Sequence, residues 1–226
     1  MLGHKAAIVA ALCLLIVLLL RIYQLLPSRS LAKQRRPRGS ECSMVIFLGS
    51  GGHTSEMKTL LSTLDFHRYR PRTYIYCHGD NLSLKVVSEL ESSNGGQASS
   101  QDYHLLALPR ARQVGQSAIS SIFSVIKTLA VCIHHIFILA MLQHPTKPFA
   151  DLLVGNGPGT CAVVIAVSWI RRILGLSFTR IIYVESFARV TSLSLSGKLV
   201  RPFVDRFLVQ WPEASDAKAE YRGWLV

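Results

Sequence analysis

An α/β fold, built as a Rossmann-like doubly wound parallel sheet behind one transmembrane helix, is what this sequence predicts. Three observations carry the expectation. The chain opens on an apolar run of membrane-crossing length, continues from Cys42 as short β-branched runs alternating with longer helical stretches, and holds two glycine-rich turns that each follow a strand and open a helix. With 226 residues, 50% of them hydrophobic, it has material for one good-sized core, since single domains commonly run to roughly 100–200 residues.

Ala6 to Leu20 is uninterrupted apolar sequence, and Ile22, Tyr23, Leu25 and Leu26 extend it to about the 20 residues that cross roughly 30 Å of hydrocarbon. Arg21 is expected to snorkel toward the headgroups near its end. A small-x-small cleavage site does not follow the run, whereas the bases Arg29, Lys33, Arg35, Arg36 and Arg38 do, which favours a retained helix over a cleaved signal peptide. Basic residues collect on the cytoplasmic side of a membrane and are drawn to anionic lipid. Residues 1–38 therefore read as a single-pass anchor with a basic juxtamembrane segment, and residues 39–226 as a cytosolic Rossmann-like domain.

The formal charge of +12 fits that division. Seven bases and no acid fall in residues 1–38, so the excess belongs largely to the anchor and nucleic acid is not expected as a partner. Cys13, Cys42, Cys77, Cys132 and Cys161 are odd in number and scattered, with no CxxC pair. They read as free thiols in a reducing compartment, and neither a disulfide framework nor a metal site is expected.

The strands expected are Met44–Leu48, Thr73–Cys77, Tyr103–Leu108, Leu152–Val154, Ile181–Val184 and Arg206–Val209. Such runs are apolar throughout instead of alternating, as happens when helices cover both faces of a parallel sheet. Helices are expected near Ser55–Leu64, Leu82–Glu91, Ser117–Leu142, Cys161–Leu174 and Ser196–Phe203. The polar stretch Ser92–Ser100 reads as a flexible loop. Ser117–Leu142 is long and apolar, but Lys127, His134, His135 and several serines interrupt it, so it reads first as a core crossover helix and second as one that dips a face into the membrane interface. His134 and His135 are adjacent and point to different faces of a helix, a poor metal pair.

Chemistry concentrates in the turns. Gly49-Ser-Gly-Gly-His53-Thr-Ser-Glu56 follows the first strand, and its glycines let the backbone turn tightly and approach a ligand while the helix N-terminus favours an anion. Phosphate or diphosphate is the natural guest. Thr54 stands where a dinucleotide fingerprint needs its third glycine, and Ser192 where a Walker motif around Ser196-Gly-Lys198 needs its first. Gly155-Asn-Gly-Pro-Gly159 follows the fourth strand and is expected at the same crevice, at the carboxyl ends of the strands. Glu185, after the fifth strand, is read either as a sugar-binding or basic carboxylate, or as a solvated or Arg189-paired one.

Gly49–Glu56, Gly155-Asn-Gly-Pro-Gly-Thr-Cys161, Tyr183-Val-Glu-Ser186, Leu193-Ser-Leu-Ser-Gly-Lys198 and Val209-Gln-Trp-Pro212, in this order behind an anchor, resemble the membrane-anchor subunit of the eukaryotic UDP-N-acetylglucosamine transferase of asparagine-linked glycosylation. That family is similar to the amino-terminal half of the bacterial lipid II-forming transferase, a GT-B enzyme. The resemblance implies an endoplasmic reticulum protein with its domain on the cytosolic face. It also implies inverting transfer of the second N-acetylglucosamine to the 4-hydroxyl of dolichol-diphosphate-N-acetylglucosamine, with no cofactor. A soluble catalytic chain would hold the UDP-N-acetylglucosamine, because a GT-B enzyme needs two Rossmann-like domains and this sequence shows one. Membrane lipid and neighbouring enzymes of the dolichol pathway are implied as further partners.

On that resemblance His53 is the candidate base or orienting group, with Glu185 as alternate. Gly49, Ser50, Gly51 and Gly52, with Thr54, Glu56, Asn156, Gly157 and Gly159, are the candidate acceptor-binding residues, Asn156 for the sugar. The apolar ending Tyr221-Arg-Gly-Trp-Leu-Val226 asks for a surface to cover it, so Trp224, Leu225 and Val226 are expected either on the partner or folded back on this domain. A non-catalytic recruitment scaffold and a membrane-bound dehydrogenase are the competing classes; Thr54 weighs against the second, and a scaffold would leave the glycine turns without a ligand.

Overall fold

The computed structural model describes residues 2–29, 39–94, 102–113, 115–157 and 159–225. After a long first helix, α1 (Leu2–Leu25), strands and helices alternate as β1 (Met44–Phe47), α2 (Gly52–Leu61), β2 (Arg72–Cys77), α3 (Asn81–Asn94) and β3 (Tyr103–Leu108). They continue as α4 (Ala118–Cys132), a π-helical segment (Ile133–Leu139), α5 (Ala140–Gln143), β4 (Leu152–Gly155), α6 (Gly159–Ile173), β5 (Arg180–Val184), α7 (Leu195–Val200), β6 (Arg206–Val209) and β7 (Glu220–Tyr221). All seven strands pair in parallel in the order β3-β2-β1-β4-β5-β6-β7. Strand order reverses between β1 and β4, the switch point at which open α/β sheets bind ligands.

Each side of the sheet buries its own apolar cluster. On one side Ile46, Leu48, Tyr74, Val154 and Val184 meet α2 and α3 through Met57, Leu61, Val86, Val87 and Leu90. On the other, Val45, Phe47, Ile75, Leu153, Ile181 and Phe207 meet α4, α6 and α7. Alternate residues of one strand serve opposite clusters, which is why the strands read as continuous apolar runs. The six predicted strands are present, β3 and β6 with the expected bounds and the other four with one end shifted by a residue. Strand β7 escapes sequence reading because two residues carry no periodicity.

Three helical expectations are corrected. The Ser92–Ser100 stretch opens inside α3, which runs to Asn94; its later residues lie outside the described ones. Ser117–Leu142 is not one α-helix, because Ile133–Leu139 winds as π. Thr128, Cys132, Ile136 and Ala140 are all buried, a strict four-residue repeat that drifts about 40° per step around a 3.6-residue helix. A stretch of wider turn cancels the drift and keeps Ile136 and Ala140 on the core. Nor is this helix only a core helix. It packs on α6, while Ile119, Ile122, Phe123 and Ile126, at i, i+3, i+4 and i+7, form a stripe between 56% and 73% exposed.

His4–Leu25 and Ile119–Gln143 are both long and apolar enough to cross a membrane. The last turn of α1 is seated on the domain, with Ile22, Leu25 and Leu26 packed against the cluster beneath α6. Arg21, expected among headgroups, donates from Nε to Ile173 O at 3.3 Å and so meets a carbonyl at the C-terminus of α6, where a cation is favoured. The guanidinium of Arg29 lies 3.9 Å from the Tyr23 ring centroid. Lys33, Arg35, Arg36 and Arg38 lie outside the described residues. Cys13, Cys42, Cys77, Cys132 and Cys161 are free thiols.

A buried ion pair braces the start of β2 against α3. Arg72 and Glu91, 2% and 3% exposed, meet through two bonds of 2.7 Å. Arg72 Nη1 also donates to Phe66 O and Tyr69 O at 2.8 and 2.9 Å, and Tyr74 donates its hydroxyl to Glu91 at 2.7 Å. Burial and that bond push the Tyr74 phenol well above its usual range. Removing one member leaves a buried charge without a counterion. Glu91→Ala is expected to lower stability by about 3–5 kcal/mol in thermal unfolding, whereas Arg72→Met with Glu91→Leu recovers most of the loss; equal losses would refute this account.

Candidate functional site

The two glycine turns meet backbone to backbone over the switch point. A Cβ on Gly49 would fall 2.7 Å from Asn156 O and 3.2 Å from Gly157 Cα, and one on Gly157 would fall 3.1 Å from Gly49 Cα. Gly157 also has φ +130°. Glycine is thus required at both places, by contact at Gly49 and by contact and conformation at Gly157. Tyr183, from β5, fixes the second turn by donating its hydroxyl to Gly157 O at 3.0 Å.

Ser50 at φ 63° and Gly51 at φ 56° bring the chain around into α2, whose N-terminus has no side-chain cap. Space beside Gly51 and Gly52 is open, so Gly51 is demanded by its positive φ and not by crowding. A helix start without a side-chain acceptor presents backbone N–H groups and the positive end of its dipole to the crevice, as an anion requires. Gly159, at the head of α6, likewise has open space around it.

Above these turns runs a chain of hydrogen bonds. His53 Nδ1 and Asn156 Oδ1 lie 2.7 Å apart, Asn156 Nδ2 donates to Glu56 Oε2 at 2.6 Å, and Ser186 Oγ donates to Glu56 Oε1 at 2.8 Å. Phe187 N adds a bond to the same oxygen at 3.3 Å. A carboxylate only accepts, so the Asn156 amide turns its NH₂ to Glu56 and its oxygen to His53. That oxygen only accepts too, so Nδ1 of His53 carries the hydrogen, leaving Nε2 as the ring's other nitrogen. Three elements, α2 and the turns after β4 and β5, thus orient one imidazole.

This network redistributes the predicted roles. Asn156, 1% exposed, turns one end of its amide to His53 and the other to Glu56 and so braces the imidazole. Glu56 joins it there. Thr54 is fully buried; its hydroxyl lies 2.9 Å from Ser83 Oγ, which donates to Asp80 at 2.9 Å. It ties α2 to α3 and does not face the crevice.

Glu185 does not join either. At 1% exposure it accepts from Ser194 N at 3.0 Å and Ser194 Oγ at 3.1 Å through Oε2, and from Ser186 N at 3.1 Å through Oε1. It is neither solvated nor Arg189-paired: it braces the turn that starts α7, where Ser194 caps by accepting from Gly197 N at 2.9 Å. Ser186, its neighbour, is the member that sequence reasoning missed. The signal is present in Tyr183-Val-Glu-Ser186, but a carboxylate draws attention before a serine does.

At the chain's end Leu225 folds back, its N–H donating to Gln210 Oε1 at 3.0 Å and its side chain packing near α2's cluster. Trp224 stays 66% exposed in a three-ring cluster, 5.7 Å from Trp211 and 6.3 Å from Phe187 between centroids. Val226 lies outside the described residues. Burial pushes the Cys77 and Cys161 thiols up, away from thiolate chemistry.

An all-parallel doubly wound sheet with two interlocked glycine turns and one oriented imidazole at its switch point defines a Rossmann-like class of α/β proteins. Comparison places the chain within it: residues 44–225 match the family model described as "Oligosaccharide biosynthesis protein Alg14 like", and the chain belongs to that family. A relative from Cryptococcus neoformans, "UDP-N-acetylglucosamine transferase subunit ALG14", is 59% identical over 97% of this chain and 96% of its own. A relative of the same name from Rattus norvegicus is 36% identical over 94% of each. Among solved structures, the "Glycotransferase of kitacinnamycin" aligns with 83% of this chain and 52% of its own at TM-score 0.46 and 11% identity.

The interlock of the turns has a test. Gly49→Ala must force apart Asn156 O and Gly157 and is expected to cost about 1–3 kcal/mol in denaturant unfolding, whereas Gly159→Ala, with no atom to meet, is expected to be near neutral. Equal effects would show that the turns do not depend on this contact.

Proposed function

We propose that the chain is the acceptor-binding, membrane-seated half of a two-chain inverting transferase, which adds the second N-acetylglucosamine to dolichol-diphosphate-N-acetylglucosamine on the cytosolic face of the endoplasmic reticulum. The observation that carries this reading is the hydrogen-bonded chain from Ser186 through Glu56 and Asn156 to His53, set above two glycine turns. A recruitment scaffold has no use for an imidazole held in one tautomer. The relatives are named as subunits of a transferase, which supports a second chain.

In this reading the N–H groups of Gly49 to Gly52 and the N-terminus of α2 take the acceptor's diphosphate. His53 Nε2 accepts the proton of the acceptor's 4-hydroxyl while that oxygen bonds to C1 of the donor sugar and the bond from C1 to the UDP oxygen breaks. The partner supplies the UDP site. Its seat is the edge where Trp224 stands exposed, together with the apolar groove of about 190 Å³ beside α2 that Leu60, Leu64, Ile182 and Leu208 line. Large aromatic anchors at such an edge are typical of interface centres. The membrane is met twice, by α1 and by the exposed stripe of α4, since an apolar stripe of this kind suits an interfacial helix.

Two measurements test the reading. In complex with its partner, His53→Ala is expected to lower kcat by about 10²- to 10⁴-fold with co-purification unchanged, while removal of residues 224–226 reduces co-purification. Wild-type turnover by the first variant would sink the base assignment, and undiminished capture by the second would sink the seat at the tail. In vesicle flotation, deleting residues 1–38 is expected to leave a membrane-bound fraction that Ile122→Ser with Phe123→Ser releases. A truncated chain already wholly soluble would deny α4 any lipid contact.

A further inference from the structure

Along the outer face of α6 lies an apolar groove of about 370 Å³. Its floor runs from Ala162, in the first turn of α6, past Ala166 and Trp169 to Ile173 in the last, a track of roughly 17 Å at 1.5 Å per residue. Leu199 of α7 walls one side and Ile22, from the last turn of α1, closes the far end. Every lining side chain is hydrocarbon or aromatic, and the one polar tip among them, Trp169 Nε1, is spent on Phe203 O at 2.7 Å. Leu195 and Leu199 beside it are 72% and 61% exposed. The stripe of α4 belongs to the same helical layer, which packs through α6. Apolar surface on this scale marks a contact with something other than water.

The two ends of the groove say what that is. One end begins three residues after Gly159, at the turn beside His53. The other stops at a helix apolar enough to cross a membrane. A ligand with its phosphorylated head at the glycine turns and its tail in the bilayer has to bridge this distance. We propose that the groove holds the head-proximal units of the acceptor's isoprenoid chain, so that the lipid, and not only the diphosphate sugar, is recognised by α6, α7 and α1. The inference rests on the acceptor-binding reading above.

Ala166 is exposed on the groove floor, so Ala166→Phe fills the groove from outside without entering the core; Leu199→Gln instead makes its wall polar. Each variant, as the full chain with its partner in membranes, is assayed on N-acetylglucosamine-diphosphate carried by a long polyisoprenyl chain and by a short soluble alkyl chain. The expected result is a KM raised on the order of tenfold for the long chain, the scale of about two lost methylene contacts, with the short-chain KM unchanged. Equal shifts on both acceptors, or none, overturn the proposal. Wild-type protein that transfers to neither acceptor refutes the underlying acceptor reading instead, so the two failures are told apart. Independently of turnover, a diazirine analogue of leucine at position 199 is expected to capture polyisoprenyl diphosphate in microsomes. Capture only of phospholipid or of a protein helix, or no capture, overturns it.

Discussion

The contact of Gly49 with Gly157 is the constraint around which the site is organised. Strands β1 and β4 are sheet neighbours although more than a hundred residues separate them, and the chain must leave both at the same edge. Any side chain at either glycine would hold the two turns apart. With hydrogens in their place, the second turn lies against the first closely enough for Asn156 to reach His53 at 2.7 Å. The contact is therefore steric in cause and chemical in consequence: it sets the distance from which the hydrogen-bonded chain to Glu56 and Ser186 follows.

The two sides of the sheet are used differently. Helices α2 and α3 cover one cluster in the manner of an ordinary soluble domain, with polar outer faces. The layer of α4, α6 and α7 is apolar within and, at Ile119, Phe123, Leu195 and Leu199, apolar without. Helix α1 joins that layer and not the other, since Ile22, Leu25 and Leu26 dock beneath α6. In the proposed reading this side is the one turned to lipid, and the π-helical turn in the helix after β3 has a role in it. By holding Cys132, Ile136 and Ala140 to the core, it leaves the preceding turns free to present their own apolar stripe outward.

Much of this is legible in the sequence. The apolar first helix, the six longer strands, their parallel α/β alternation and both glycine turns follow from hydropathy, β-branched runs and turn chemistry, because each depends on residues close together in the chain. What is not legible depends on residues far apart. Nothing local distinguishes Thr54, which turns to Ser83, from His53, which turns to Asn156, and helical spacing alone does not say which neighbour faces the crevice. Asn156 stands out in the sequence, but its contacts to His53 and Glu56 do not, since both partners lie a hundred or more residues away. The outward stripe of α4 is ambiguous for a different reason: buried and lipid-facing helices share one composition, and only exposure separates them.

The fates of the two glutamates show how position decides the role of identical chemistry. Glu185 follows β5 directly and meets the backbone N–H of Ser186 and Ser194, so its charge is spent on ordering the chain into α7. Glu56 sits one helical turn along α2, beyond the reach of the free N–H groups at that helix's start, and finds the Asn156 amide instead. An amide carries direction across itself but not charge. Glu56 therefore fixes which nitrogen of His53 bears hydrogen without bringing its carboxylate against the imidazole, and Ser186 and Phe187 N occupy its other oxygen. In the proposed reading the crevice takes a diphosphate, which tolerates a carboxylate only if its lone pairs point elsewhere, and those of Glu56 are held by Asn156, Ser186 and Phe187 N. The same geometry reconciles an anion-attracting turn with an acidic residue four positions after Gly52, a combination that charge counting along the sequence would have scored as a contradiction.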